Sequence, residues 1–216
     1  RQVFVHYPFD DSASAFHCSD AVLNDVWDLC KYTMKATSFA GVFVDGDRER
    51  IPYEADAYIN QLGYYAADRD YAISRYTHEY LLTHPTWPTE WKQHSVLMAW
   101  ADYMYTGDTE SLRQSYATLK AEKTLEQRAR AADGLIDTKG LRDIVDWPAG
   151  ERDGYDFKDV NTVVNAFYYQ CLVDMAGIAE ALGKADDAAE YRDKARQFKA
   201  AFHRAFFDAG RGVYVD

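Results

Sequence analysis

The stretch "VDGDRERIPYEADAY", residues 44–58, sets five carboxylates, Asp45, Asp47, Glu49, Glu54 and Asp56, around two arginines, Arg48 and Arg50. Three kinds of chemistry use such a pattern. If Pro52 takes the first turn of a helix, where its missing N–H costs nothing, Glu54 and Asp56 sit at the positive end of the helix dipole with Glu49 just before it. Part of the cluster is then capping. Asp45, Asp47, Glu49 and Asp56 also fall at positions one, three, five and twelve of a calcium loop, but Arg50 stands at position six, where the sharp turn needs Gly. In the third reading, the arginines flanking Glu49 hold neighbouring carboxylates ionised and orient a polar substrate. One carboxyl, kept protonated by its like-charged neighbours, then serves as an acid.

Two further segments carry the same kinds of residue. "THPTWPTEW", residues 83–91, has two Pro for a stiff backbone and two indoles, Trp87 and Trp91, which suit either platforms for sugar rings or anchors in the core; Thr89 and Glu90 open the next helix. "DIVDWPAGERDGYDF", residues 143–157, mixes Asp143, Asp146, Glu151 and Asp153 with Trp147 and Arg152, in a region too rich in Gly and Pro for a helix. A loop this long inside a compact domain is usually functional or disordered, and its aromatic content argues against disorder. Clustered carboxylates beside aromatics are what glycosidic-bond hydrolysis uses. His6, His17, His78, His84, His94 and His203 show no paired metal spacing, and neither a nucleophile elbow nor a phosphate-binding loop is present, so no metal or cofactor is expected.

The elements that must position these segments are helical. Apolar residues recur every three or four positions over about 20–40, where Ser19 or Asp20 offers an N-cap, and again over 53–67, 69–83, 91–106, 109–131, 159–182 and 185–207. Strand signals are nearly absent. Short turns near Asp68, Gly107 and Gly183 alternate strictly with long loops at 41–53, 84–90 and 132–158. In an antiparallel up-and-down array, alternation places every long loop at the same end, so the acidic and aromatic segments should meet on one face. The turns are separated by 39 and 76 residues, a repeat of about 38 that fits an α/α toroid or an α-solenoid. The second of these would make the chain a non-catalytic helical-repeat binding module, expected to show repeat-to-repeat similarity on a concave surface; here the long loops differ from one another.

With 48% hydrophobic and 15% aromatic residues, the 216-residue chain has the composition of a folded domain with a substantial core. A net charge of −11 without a basic cluster repels phosphate backbones and acidic membranes, so no nucleic-acid or membrane partner is expected. No run reaches the roughly 18–20 apolar residues of a membrane span. Cys18, Cys30 and Cys171 are odd in number and lie in apolar helical patterns, which fits buried thiols rather than a disulfide framework and leaves the compartment undecided.

The residues resemble glycoside hydrolase family 78, the α-L-rhamnosidases. The family's motif has an Asp, then Arg-Glu-Arg, an aromatic four residues after the Glu and an Asp seven after it, met here by Asp45, "RER" at 48–50, Tyr53 and Asp56. "SDAVLNDVWDLCKYT" looks like the opening helix of the family's catalytic domain, "DIVDWP" like its Asp-Trp segment and "GVYVD" like a stretch preceding its second half. The chain departs from the pattern where Tyr53 replaces the usual Trp and Pro52 and Ala55 replace glycines, and its Asp45-to-Glu49 interval is one residue shorter. The resemblance implies an all-α (α/α)6 toroid of helical hairpins, present as an incomplete segment of about seven helices. Residues 1–18 would be an extended lead-in from a preceding β domain, and 19–216 the first half of the barrel. It implies an inverting hydrolase that removes terminal α-L-rhamnose, in a bacterial periplasmic, extracellular or cytoplasmic setting. Glu49 would be the general acid, with Asp45, Arg48 and Asp56 gripping sugar hydroxyls, Tyr53, Trp91 and Asp146 also in the binding site, and Trp147 a wall near the sugar's methyl group. The general base would lie beyond Asp216, with Asp146 and Glu151 as substitutes within the chain. The partners implied are a carbohydrate substrate and the remainder of the same catalytic domain. The neighbouring readings are another six-hairpin glycosidase or an unsaturated uronyl hydrolase.

Overall fold

The computed structural model describes residues 1–3, 5–46 and 48–216. Among them, seven α-helices account for nearly all the regular structure: α1 (Ala21–Thr37), α2 (Glu54–Ala67), α3 (Ala72–Thr83), α4 (Trp91–Thr106), α5 (Glu110–Thr118), α6 (Thr162–Ala181) and α7 (Ala185–Phe206). Of the two candidate caps, Asp20 closes the start of α1 by accepting a hydrogen bond from the Val22 amide at 2.9 Å. α2, α4 and α6 stand side by side as one layer, and α3, α5 and α7 return along them as hairpin partners. The main core fills the space between α4, α6 and α7 with Val96, Tyr168, Leu172, Met175, Tyr191 and Phe198. A second cluster, Phe43, Tyr64, Ile73, Leu81 and Met98, closes the α2–α3 end. Gly177 permits the close approach of α6 to α4, because a Cβ there would come within 2.8 Å of the Trp100 ring.

The structure differs from the sequence expectation in four places. The helix expected over 109–131 stops as α5 at Thr118; the chain widens into one π-helical turn over Leu119–Lys123, and Leu125 at φ 62° breaks the ladder. Its apolar period misleads because Leu119 and Leu125 belong to the main core, while the chain beyond them doubles back and pairs Ala129 with Ile136. Pro52 is not in the first helical turn: Tyr53, in an extended conformation, is the N-cap, and α2 begins at Glu54. The helix expected over 185–207 is present as α7, and a small antiparallel hairpin of β1 (Phe207–Asp208) and β2 (Val213–Tyr214), not expected from the sequence, follows it. Of the three free thiols only Cys171 is buried; Cys30 lies on α1, whose apolar side chains Val22, Leu29 and Tyr32 are all exposed. Among the described residues no helix is long and apolar enough to cross a membrane.

The turns between α2 and α3, α4 and α5, and α6 and α7 are short, and Gly107 and Gly183 adopt the left-handed conformation that such stops need. That end is tied by Arg75, whose guanidinium holds Asp102 at 2.8 and 3.0 Å and Asp108 at 2.6 Å. The three long loops gather at the opposite end.

Candidate functional site

The first long loop is anchored before it presents anything. Phe43 and Val44 are buried, and the Phe43 amide donates to Thr77 Oγ1 at 3.0 Å. From there the backbone closes on itself, the Asp45 amide donating to the Ile51 carbonyl at 2.9 Å and the Arg50 amide to the Asp45 carbonyl at 3.1 Å. This ring holds Asp45, Arg48 and Glu49 above the start of α2. Asp47 lies outside the described residues, and so does its place in the calcium-loop register. Among the described residues no group of three His, Cys, Asp or Glu side chains could hold a metal ion.

The other two loops are fastened by a pair of buried glutamates. Glu54, the first residue of α2, is fully buried and accepts from the Thr86 amide at 3.0 Å and from the Thr86 hydroxyl, which fixes the loop carrying Trp87. Glu90, at the head of α4 and 1% exposed, accepts from the Ile144 and Val145 amides at 3.0 and 2.6 Å. Val145 sits at φ 60°, a conformation uncommon for a β-branched residue, and it directly precedes Asp146 and Trp147. The far side of this loop is held by Asp143, which accepts from Thr138 at 2.7 Å and from Asn161 at 2.9 Å; Asn161 also caps α6. α2 and α4 thus each carry at the N-terminus a glutamate that holds the next long loop, and α6 carries an asparagine that holds the loop before it.

Between the three loops lies a cleft of about 450 Å³, lined by Asp45, Arg48, Glu49, Tyr53, Asp56, Trp91, Asp146 and Trp147, together with Trp87 and Ile144. All eight residues singled out from the sequence therefore border one space. Glu151 does not line it and is exposed. Trp147 is 67% exposed and Trp87 43% exposed, while Tyr53 packs edge-to-face on Trp91 at 5.6 Å. Glu49 shares a hydrogen bond with the Asp45 carboxyl, which together with partial burial raises its pKa, and the Arg48 guanidinium, 2.6 Å away, pulls the other way. Two carboxyls this close favour the protonated form of Glu49, because like charges side by side repel. Burial pushes the Tyr53 phenol up, helped by the negative charge of Glu49 and Asp45.

Asp56 is raised from 3.8 to about 6, first by burial and then by the charges of Asp45 and Asp146. The folded protein therefore binds the Asp56 proton more tightly than the unfolded chain does. The stability this gives is complete below pH 3.8 and is lost as the pH rises to about 6. Asp56→Asn, which mimics the protonated form, should stabilise the fold by about 1–2 kcal/mol at pH 7, allowing for partial exposure. Thermal unfolding at pH 7 and pH 4 checks this: the gain should vanish at the lower pH, and an equal gain at both would refute it.

Sequence reasoning placed Trp87 on its loop without assigning it to the site, and it read Glu54 and Glu90 as parts of helix starts. Their positions one to three residues from a helix N-terminus make capping the nearer reading. Only the approach of a loop more than thirty residues away in sequence turns them into clamps.

Comparison with known proteins bears on the fold that carries this cleft. The chain matches the model of the bacterial alpha-L-rhamnosidase 6 hairpin glycosidase domain over residues 11–216. It superposes on the crystal structure of a GH78 family rhamnosidase of Bacillus sp. GL1 with a TM-score of 0.85 and 19% identity, covering 98% of this chain. For an alpha-L-rhamnosidase from Dictyoglumus thermophilum the TM-score is 0.68 at 18% identity, covering 89% of this chain. The chain spans 23% of the length of each. No curated protein is matched by the chain. An all-helical hairpin array of this shape, matched over residues 11–216, decides between toroid and solenoid: the chain belongs to the bacterial alpha-L-rhamnosidase 6 hairpin glycosidase domain family.

Proposed function

We propose that this chain supplies the acid half of a glycosidase site that removes terminal α-L-rhamnose from glycans or glycosides with inversion of configuration. The observation that carries the reading is the Glu49–Asp45 carboxyl pair, set beside Arg48 in a cleft walled by Tyr53, Trp91 and Trp147. Glu49, kept protonated by its neighbour, donates to the departing glycosidic oxygen. Asp45 and Asp56 accept from sugar hydroxyls and Arg48 donates to them, while the aromatic faces cover the apolar side of the ring, including the methyl group that distinguishes a deoxy sugar. An inverting displacement needs a second carboxylate that activates water from the opposite face of the ring. We assign that base, and the helices that complete the barrel, to sequence outside residues 1–216, in keeping with the fraction of its structural neighbours that this chain spans.

The test is the anomer released by the complete protein. Proton NMR during hydrolysis of an aryl α-L-rhamnoside should show β-L-rhamnose first, with the α anomer following only by mutarotation. Immediate release of the α anomer would contradict the single-displacement reading, and absence of hydrolysis would contradict the activity.

A further inference from the structure

Trp87 borders the first cleft and two others. The second, of about 480 Å³, opens between the head of α4, the π-helical turn after α5 and the loop at 140–142. Lys92, Lys123, Arg128 and Arg142 line it, against the single carboxylate of Glu122. Among the described residues none of these four cations lies within ion-pair distance of a carboxylate, although the chain has 35 acidic side chains to 24 basic ones. Among the described residues Arg128 donates to neutral acceptors, the Asp137 and Lys139 carbonyls at 2.9 and 2.6 Å. Arg142 lies over the Trp87 ring, 4.3 Å from its centroid. Lys123 is 2% exposed, and burial lowers its pKa while Glu54 and Glu122 act at longer range to raise it. Cations that could have been neutralised almost anywhere on so acidic a chain are instead left together in one concave space, and that is an arrangement for holding an anion.

We propose that this second cleft is a subsite for the carboxylate of an acidic sugar, so that the preferred substrate is a glycan in which rhamnose is attached to a uronic acid. The proposal rests on the function assigned above to the first cleft. Rhamnose occupies the space beside Glu49, the chain of the substrate passes Trp87, and the uronate carboxylate is met by Arg142 and Lys92 at the rim with Lys123 beneath. An arginine stacked on an indole presents its edge as a planar donor to a carboxylate. The local positive charge is also what an acidic ligand needs to approach a protein whose net charge of −11 would otherwise repel it.

The experiment compares two disaccharides on the complete protein, α-L-rhamnosyl-glucuronic acid and α-L-rhamnosyl-glucose, which differ only in oxidation at C6. The acidic substrate should have a KM about tenfold lower at low salt, with the advantage fading as salt is raised. A Lys92→Gln/Arg142→Gln variant should bring the two KM values together. Equal KM values in the parent protein, or a preference that survives the double substitution, would overturn the proposal. If neither disaccharide is hydrolysed, the function of the first cleft has failed, and calorimetric titration with a galacturonate oligomer decides the second cleft by itself. Binding lost in the double variant supports the anion subsite, and no binding to the parent overturns it.

Discussion

Replacing Glu49 by Gln in the complete protein should cut turnover of a natural rhamnosyl disaccharide by about 10²–10⁴-fold. The amide matches the carboxyl in size but has no acidic proton to give, and it can no longer form the ion pair with Arg48. An aryl rhamnoside with a good leaving group departs largely without protonation, so its loss should be far smaller. The contrast between the two substrates is the diagnostic: a structural defect would depress both alike, whereas loss of the acid depresses the disaccharide selectively. Wild-type turnover of the disaccharide by the Gln variant would remove Glu49 from this role. Because Glu49 stands on a loop closed by its own backbone hydrogen bonds, the variant's thermal unfolding should match that of the parent.

The second large effect belongs to Glu90. One of its oxygens accepts both the Ile144 and the Val145 amides in a buried setting, and these two residues lead into Asp146 and Trp147. Glu90→Ala strands the buried Ile144 N–H and the part-buried Val145 N–H and should destabilise the fold by about 2–4 kcal/mol. That corresponds to roughly 2–4 °C of melting temperature per kcal/mol in a domain of this size. Because the Asp146–Trp147 wall loses its support, KM for rhamnosides should rise as well. Glu90→Gln keeps an acceptor oxygen in place and should recover most of the stability and much of the affinity. An Ala variant that melts with the parent would show that Thr89 and Arg142, which exchange hydrogen bonds at 3.0 and 3.1 Å, hold the loop without Glu90.

Both residues stand near helix starts in the sequence, yet only Glu49 could be read there as more than a cap. Its chemistry is local: carboxylates and arginines a few residues apart must feel one another in almost any conformation, so their types and spacing announce a charged cluster. Glu90 acquires its meaning from residues 144 and 145, and no short-range pattern records which distant amide a buried carboxylate will meet.

The same division runs through the fold. The helical period, the left-handed glycines and the alternation of short and long connections determined an all-helical hairpin array with its long loops at one end, because amphipathic stripes and turn conformations are properties of neighbouring residues. Where the helix gave way to a π-helical turn and then to a loop, at Leu119 and Leu125, both buried, the apolar period predicted helix too far. What only the tertiary structure decided is how the three loops close upon one another: Glu54 and Glu90 as clamps, Trp87 as a wall shared by three clefts, and four cations against one carboxylate in one space. Those features depend on distances between segments far apart in the chain, which helix packing sets and sequence spacing does not.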